Sequence, residues 1–201
     1  MTKLHIMLDL ETWGMNPGSA IASIGAVAFD PHGVEPTVYG LYHNISRESC
    51  LGVGLKLDQR TVDWWAAPER AEARAALELQ QVSLAEALAD FSMLYKSYAD
   101  VAAKADRLWS NGPSFDEAIL GAAYPALGQE PPWRYNAGRD CRTIYDLHGL
   151  KLQHTVGTFH HALDDAREQA LLVQEAYRRQ RSTETFRPVD VAALQGIETA
   201  A

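Results

Sequence analysis

The chain has 201 residues, of which 47% are hydrophobic and 22% charged, a composition typical of one soluble globular domain with a full hydrophobic core. No apolar run approaches the roughly 20 residues needed to span a bilayer and residues 1–5 show no signal peptide, so we expect a cytoplasmic protein that does not span a membrane. The formal net charge of −8 argues against long, non-specific binding to nucleic acid, because phosphate binding favours lysine and arginine.

The first part of the chain carries three strand patterns. Residues 4–10 form an apolar run that predicts a buried strand, and residues 21–29 and 37–45 predict two more. The sequence Asp30-Pro31-His32-Gly33 stands between the last two and is a turn signal. We therefore expect a hairpin to join the second and third strands.

In the next part of the chain, the apolar residues recur at the spacing of a helix rather than that of a strand. Residues 57–67 predict one helix, and a second is predicted after Ser83, which can form a capping box with Glu86. The buried face of this second helix is predicted from apolar residues at helical spacing, namely Leu84, Ala87, Leu88, Phe91, Leu94, Tyr95 and Tyr98.

Short strands and helices alternate in the remainder of the chain. Residues 107–110 predict a fourth strand, and residues 133–135 predict a fifth. Between them, Ser114 and Glu117 predict a second capping box, which places Asp116 in the first turn of a helix. Three strands followed by this alternation predict an α/β protein with a mixed sheet.

The last predicted helix starts near Ala162 and runs to about residue 179. We expect one domain over residues 1–180. Residues 181–201 form a tail with few strong signals, which is compatible with partial disorder.

The first strand ends in the sequence Asp9-Leu10-Glu11. Residues two apart on a strand face the same side, so the two carboxylates should lie side by side. They then repel each other unless a proton or a cation lies between them, and Mg²⁺ or Mn²⁺ is the natural choice for oxygen ligands. The alternative is a strand end with two solvated acids.

A second acidic segment contains Asp116, which follows a predicted strand-to-helix corner. Such a corner places side chains at the open end of a sheet, but an acid in the first helical turn can also simply complement the helix dipole. A third acidic segment lies at the start of the last helix, where His160 is five residues before Asp165. A histidine beside metal-bound carboxylates suits a general base. The residues alone leave open whether His160 or His161, and whether Asp164 or Asp165, has this role.

Together, these segments resemble the Exo I, Exo II and Exo III motifs of the DEDDh 3′–5′ exonucleases, in the ribonuclease H-like superfamily. The resembling residues are Asp9-Leu10-Glu11, residues 111–116 and residues 160–166. The third motif in that family reads His-x-Ala-x-x-Asp-Ala, and this chain has His160, Ala162, Asp165 and Ala166 in that register. The resemblance therefore selects His160 and Asp165, and leaves their neighbours as bystanders.

Further stretches are similar to a subgroup with phage exonuclease A, exonuclease VIII-like proteins and a bacterial 3′–5′ exoribonuclease. These stretches are residues 9–12, 22–30, 61–65 and 139–143. The resemblance covers roughly residues 4–178. It implies a bacterial or phage-encoded protein with a ribonuclease H-like α/β fold, in which helices flank a central mixed sheet.

The resemblance also implies a mechanism with two divalent cations, Mg²⁺ or Mn²⁺, that flank the scissile phosphate. Asp9 would bridge both ions, Glu11 and Asp165 would complete the shell of one, and Asp116 would support the other. His160 would take a proton from the attacking water. The product would be a nucleoside 5′-monophosphate.

Contacts to the substrate are predicted from residues near these motifs. Thr12 and Trp13 follow the first two acids and should lie beside the terminal nucleotide, where Trp13 could stack on a base. One member of the pair Trp64 and Trp65 should be a core residue, and Trp65 is a candidate for stacking. Phosphate contacts are expected from Arg139 or Arg142, although surface ion pairs would explain these arginines equally well.

The leading interpretation is a 3′–5′ exonuclease that acts on single-stranded nucleic acid or 3′ overhangs. The alternatives are a catalytically inactive nucleic-acid-binding protein on the same fold, and a hydrolase of very short oligonucleotides. The complete set of four acids and one histidine favours the enzyme. The sequence leaves the choice between RNA and DNA open, and a homodimer is one expectation from relatives.

Overall fold

A five-stranded mixed sheet forms the centre of the protein in a computed structural model, which describes residues 4–34, 39–153 and 160–182. The strand order is β3-β2-β1-β4-β5. β2 pairs antiparallel with β1 and β3, whereas β4 runs parallel to β1 and β5. The strands are β1 (His5–Thr12), β2 (Ile21–Phe29), β3 (Tyr39–Asn44), β4 (Leu108–Ser110) and β5 (Gly138–Asp140).

Seven α-helices in the described residues flank this sheet. They are α1 (Arg47–Gly52), α2 (Gln59–Ala66), α3 (Ala71–Leu77), α4 (Leu84–Tyr98), α5 (Asp116–Ala126), α6 (Cys141–His148) and α7 (Ala162–Ser182), with a 3₁₀ turn at Pro68–Arg70. The predicted α/β architecture, with a central mixed sheet between helices, is confirmed. In the described part of the chain, no helix is both long and apolar enough to cross a bilayer.

The alternation of side chains along β1 separates the core from the site. Ile6, Leu8 and Leu10 are buried on one face, in the core that includes α4 and α5. Met7 lies on the other face, in a second cluster with Ala166 and neighbouring residues of α7. Because side chains two apart on a strand share a face, Asp9 and Glu11 follow Met7 toward α7.

A glycine on β2 allows α7 to start directly against the sheet. Gly25 pairs with Asp9 across the β1–β2 ladder. A Cβ at this position would lie 2.2 Å from the carbonyl carbon of Ala162, which is backbone and cannot move aside easily. Ala162 itself is fully buried. The absence of a side chain at Gly25 therefore brings the first turn of α7 beside the acids of β1.

Two predicted local features are wrong. Residues 133–135 do not form the fifth strand, which is Gly138–Asp140. Trp133 instead packs edge-on against Phe91 and Tyr124, and Tyr135 is 96% exposed. An aromatic residue at every second position resembled a strand, but these rings have separate environments.

The predicted capping box of Ser114 and Glu117 is also wrong. The N-cap of α5 is Phe115, without a side-chain cap. The backbone N–H groups of Phe115 and Asp116 both donate to the carbonyl oxygen of Gly112, so a backbone turn starts this helix. Asp116 is nevertheless in the first turn of α5, as predicted.

Other predicted elements are confirmed with small shifts in their ends. Ser83 caps α4, since its Oγ accepts a hydrogen bond from the N–H of Glu86 at 3.2 Å. β2 and β3 are antiparallel neighbours, and part of their connection, residues 35–38, lies outside the described residues. α7 continues to Ser182, two residues beyond the predicted domain boundary, and the rest of the predicted tail lies outside the described residues.

Candidate active site

Three carboxylates from opposite ends of the sequence meet at the carboxyl end of β1. Oxygen atoms of Asp9, Glu11 and Asp165 lie within 4.8 Å of one another. Asp9 and Glu11 come from β1, and Asp165 comes from the first turn of α7. These three acids line a cavity of about 280 Å³ that also contains Asp116 and His160. The structure therefore brings together all five residues that the sequence predicted.

The fourth acid reaches this cavity from α5. Asp116 is 3% exposed, and its Oδ1 accepts a hydrogen bond from the backbone N–H of Leu10 at 3.1 Å. Leu10 lies between the two acids of β1, where its side chain points into the core. The backbone bond therefore fixes Asp116 relative to Asp9 and Glu11.

His160 precedes α7 and lies beside Glu11. Its Nδ1 is 3.4 Å from Glu11 Oε1. The imidazole ring also contacts the edges or faces of Trp64 and Trp65, with ring centroids 5.1 and 5.7 Å away. The backbone of His160 has a φ of +61°, a conformation that is uncommon for residues with a side chain. These contacts orient the ring toward the acidic cavity.

The neighbouring residues His161 and Asp164 have different partners. His161 stacks on Tyr42 with ring centroids 4.1 Å apart, and its Nδ1 is 3.4 Å from Asp164 Oδ2. Asp164 also forms an ion pair with Arg167 at 3.2 Å. Neither His161 nor Asp164 is among the residues that line the acidic cavity. The structure thus separates the two members of each adjacent pair.

Burial and mutual repulsion make the acidic cluster receptive to cations. Burial raises the pKa of Asp9 well above its ordinary range, and the charges of Asp116, Glu11 and Asp165 raise it further. Burial also raises the pKa of Glu11, and it raises the pKa of Asp116 to about 7. Such a cluster holds protons or binds cations, because closely spaced carboxylates cannot all remain charged without compensation. The set of oxygen donors fits divalent cations that prefer oxygen ligands.

The acidic cavity is also lined by Gln169, to which the sequence analysis assigned no role, and by Arg142, which it named only as one of two possible phosphate contacts. Gln169 is 1% exposed and donates a hydrogen bond from Nε2 to Asp9 Oδ1 at 2.7 Å. It lies four residues after Asp165, and this spacing places both on one face of a helix, which was the available signal. Arg142 lines the cavity as well, and its charge favours the ionised form of Asp116.

A second, larger cavity adjoins the acidic one. Its volume is about 680 Å³, and it is lined by residues that include Glu11, Thr12, Trp64 and Phe115. Glu11 and Phe115 line both cavities, so the two spaces meet at the carboxylates. Thr12 is buried, and its hydroxyl donates to the carbonyl oxygen of Gly14 at 2.7 Å. Thr12 therefore lies beside this larger cavity, and its contact with a nucleotide stays a prediction.

Stacking roles for Trp13 and Trp65 do not agree with the structure. Trp13 is 3% exposed, and the guanidinium carbon of Arg47 lies 4.0 Å from the centre of its ring. Trp65 is 1% exposed, and its Nε1 donates to the carbonyl oxygen of Thr12 at 3.0 Å. Trp65 lines the larger cavity, but at 1% exposure its ring offers too little surface for a base to stack, and Trp13 lines neither cavity. Trp64 also has an arginine over one face of its ring, with the guanidinium carbon of Arg70 at 3.8 Å, but it is 40% exposed and lines the larger cavity, so it is the better placed aromatic residue.

Arg139 does not lie in either cavity. Its Nη1 donates to backbone carbonyl oxygens, including those of Asn136 at 3.0 Å and Gly138 at 2.6 Å. The predicted phosphate contact of Arg139 therefore does not agree with its position. Arg142, three residues further along the chain, lines the acidic cavity together with Asp116, because α6 begins directly after β5.

Comparison with solved structures shows that this fold occurs in known nucleases. The nuclease domain of 3′hExo, a DEDDh family member bound to rAMP, has a TM-score of 0.55 and 12% identity, covering 88% of this chain and 92% of that chain. A 3′-exonuclease in 3′-end specific recognition of the histone mRNA stem-loop has a TM-score of 0.54 and 9% identity over 88% and 64% of the two chains. S. pombe Pop2p in its Mg²⁺- and Mn²⁺-bound form has a TM-score of 0.51 and 16% identity over 88% and 84%. At sequence identities of 9–16%, these comparisons show that the fold is shared.

Comparison with family profiles identifies the chain more directly. A search of curated protein sequences found no significant match. Residues 4–177 match the profile of the 3′–5′ exoribonuclease Rv2179c-like domain, and these residues include both cavities. The chain shares its fold with the DEDDh nuclease domain of 3′hExo, and it belongs to the Rv2179c-like 3′–5′ exoribonuclease domain family, which identifies it as a 3′–5′ exonuclease.

Proposed function

We propose that this exonuclease removes nucleotides from the 3′ end of single-stranded RNA, with two divalent cations and with His160 as the general base. The observation that carries this proposal is the meeting of four carboxylates and one histidine in a single cavity, next to a second cavity that can hold a nucleotide. RNA is favoured over DNA because the matching family is described as exoribonucleases and a structural neighbour is bound to rAMP.

The proposed cation ligands are the four acids of the cavity. Asp9, Glu11 and Asp165 have oxygen atoms close enough to share one ion, and Asp116 would support a second ion together with Asp9. A structural neighbour is described as Mg²⁺- and Mn²⁺-bound, which supports these metals. When bound, the cations would offset the charge of the phosphate and of the leaving 3′ oxygen.

His160 is proposed to accept the proton of the attacking water. The water oxygen forms a bond to phosphorus while the bond from phosphorus to the 3′ oxygen of the preceding nucleotide breaks. The products are a nucleoside 5′-monophosphate and a chain shortened by one residue with a free 3′ hydroxyl. Glu11 orients the imidazole through Nδ1, and Trp64 and Trp65 limit its rotation.

The terminal nucleotide is proposed to occupy the larger cavity. About 680 Å³ is ample for one nucleotide, and the partly exposed ring of Trp64 provides a surface for a base. Arg60 lines the same cavity and is exposed, so it is a candidate contact for a phosphate. With a formal net charge of −8, the protein should hold few nucleotides at once rather than a long strand.

Digestion of matched RNA and DNA oligonucleotides tests this proposal. Substrates of 2 to about 20 nucleotides, labelled at the 5′ end, would be incubated with Mg²⁺ or Mn²⁺. We expect a ladder of RNA products shortened one nucleotide at a time from the 3′ end, with slower shortening of DNA. Activity confined to substrates of two or three nucleotides would favour a hydrolase of very short oligonucleotides. Binding without any shortening would favour an inactive nucleic-acid-binding protein.

A further inference from the structure

A buried glutamine holds one oxygen of the central carboxylate. Among the described residues, Gln169 supplies the side-chain hydrogen bond to Asp9, from Nε2 to Oδ1 at 2.7 Å. We propose that Gln169 is a positioning residue that fixes Asp9 so that its second oxygen, Oδ2, is presented to divalent cations. This inference rests on the proposed function, because it assigns Gln169 a role toward the ions that Asp9 is proposed to bind.

The helix holds Gln169 rigidly enough for this role. Gln169 lies one helical turn after Asp165, so the two side chains share the face of α7 that meets β1. Its backbone carbonyl oxygen accepts a hydrogen bond from the hydroxyl of Tyr145 at 3.1 Å. Since the residue is 1% exposed, its side chain cannot rotate into solvent. The amide group is therefore fixed within the acidic cavity.

An amide is a suitable hydrogen-bond partner for a carboxylate that must also bind a cation. The amide N–H of Gln169 provides Asp9 Oδ1 with a neutral hydrogen-bond donor inside the buried cavity. Unlike lysine or arginine, glutamine adds no positive charge that would compete with a cation. It also engages one oxygen of Asp9 and sets the orientation of the other. Partners of this kind commonly change metal affinity by 10–100-fold when they are removed.

A second glutamine on the same helix provides a matched control. Gln174 is 4% exposed, and its Nε2 donates to the backbone carbonyl oxygen of Asp30 at 2.8 Å. It is not among the residues that line the acidic cavity. Replacement of Gln174 should therefore cost stability like replacement of Gln169, without an effect on cation binding. The pair distinguishes a role toward the cations from a role in packing.

The test is Mn²⁺ binding to the full chain without substrate, measured by isothermal titration calorimetry after removal of bound metal. Gln169→Met keeps the length of the side chain and removes the donor. We expect it to raise the Kd for Mn²⁺ by roughly 10–100-fold, whereas Gln174→Met stays within about twofold of wild type. At saturating Mn²⁺, the kcat of Gln169→Met should recover toward wild type, because the ligands themselves remain.

A second variant keeps the inference testable if Gln169→Met does not fold. Gln169→Lys would place a positive charge beside Asp9, so it should raise the melting temperature of the metal-free protein and abolish Mn²⁺ binding. Wild-type affinity for Mn²⁺ in the folded Gln169→Met or Gln169→Lys variant would overturn the inference. An equal loss of affinity in Gln174→Met would also overturn it, because the effect would then be one of packing. Failure of wild type itself to bind Mn²⁺ would instead overturn the proposed function.

Discussion

The carboxylate of Asp116 accepts a hydrogen bond from the backbone N–H of Leu10, although 106 positions separate the two residues in sequence. Leu10 stands between Asp9 and Glu11, so this bond joins the first turn of α5 to the acidic end of β1. On the other side, Gln169 joins α7 to Asp9. The acids are thus held together by contacts among β1, α5 and α7, three elements that lie far apart in the sequence.

The metal-free protein should lose stability as the pH rises from about 4 to 7. Burial raises the pKa of Asp116 from 3.8 to about 7, so the folded state keeps a proton that the unfolded chain releases in this range. Stability falls with pH wherever the folded state binds more protons. The free energy of unfolding should fall by a few kcal/mol over this range, since each unit of pKa shift corresponds to about 1.4 kcal/mol. Urea unfolding in EDTA at pH 5 and pH 8 measures the difference.

The variant that tests this assignment is Asp116→Asn, whose side chain cannot ionise. Its free energy of unfolding should decrease less than that of wild type between pH 5 and pH 8. Asp146→Asn changes an exposed acid of α6 and should keep the wild-type decrease. An Asp116→Asn variant with the full wild-type decrease would show that this carboxyl does not hold the extra proton. Saturating Mg²⁺ should also reduce the decrease, because cations favour the charged carboxylates.

Substitution of the two adjacent histidines should have unequal effects. His160→Ala removes the proposed base and should lower kcat by roughly 10²–10⁴, with substrate affinity largely kept because the carboxylates remain. His161→Ala removes a ring that stacks on Tyr42 outside the acidic cavity, so it should change turnover little. Steady-state kinetics on a labelled RNA oligonucleotide decide between them. Loss of turnover in His161→Ala, together with normal turnover in His160→Ala, would assign the general base to His161 instead.

Gly25→Ala should damage both folding and activity. A new Cβ would lie 2.2 Å from backbone of Ala162, so the start of α7 must move away from β1 and carry His160 and Asp165 with it. Overpacking of this kind costs about 1–3 kcal/mol or more. Thermal unfolding and kcat/KM should both fall. Gly52→Ala is the control, because a Cβ there meets no atom within 4 Å and a helical alanine should be neutral or stabilising.

Trp64→Ala should weaken substrate binding. Trp64 lines the larger cavity and is 40% exposed, and loss of a stacking surface costs about 1–3 kcal/mol. We expect KM for single-stranded RNA to rise roughly tenfold, since about 1.4 kcal/mol corresponds to a factor of ten. A lower kcat should accompany it, because His160 loses a ring contact. Tyr135→Ala, which changes a ring that is 96% exposed, should leave both constants unchanged. An unaltered KM in Trp64→Ala would remove this residue from the substrate site.

The sequence predicted those parts of the site that follow from local periodicity or from a motif. Asp9 and Glu11 share a face because side chains alternate along a strand, and this rule needs no tertiary information. His160 and Asp165 could be separated from their neighbours by the family motif, whereas the residues alone left the choice open. In the structure, His160 and Asp165 line the acidic cavity, whereas His161 and Asp164 pair with each other and do not line it.

Features that depend on distant contacts could not be predicted in this way. Trp13 and Trp65 were predicted to stack on bases, but the two rings pack against each other and are almost fully buried. Gln169 gave only a helical spacing from Asp165, since its partner lies 160 positions away. Homodimer formation, a cytoplasmic location and the division into residues 1–180 and a tail stay predictions.

Metal-dependent RNA shortening by two adjacent variants tests the central claim most directly. Asp165→Asn changes a proposed cation ligand, and Asp164→Asn changes its neighbour, which pairs with His161 and Arg167 instead. Digestion of a 5′-labelled RNA oligonucleotide would be followed in Mg²⁺ and in EDTA. We predict shortening from the 3′ end by wild type and Asp164→Asn in Mg²⁺, a loss of roughly 10³-fold or more in Asp165→Asn, and no activity in EDTA. Full activity in EDTA, or an active Asp165→Asn beside an inactive Asp164→Asn, would contradict the proposed site.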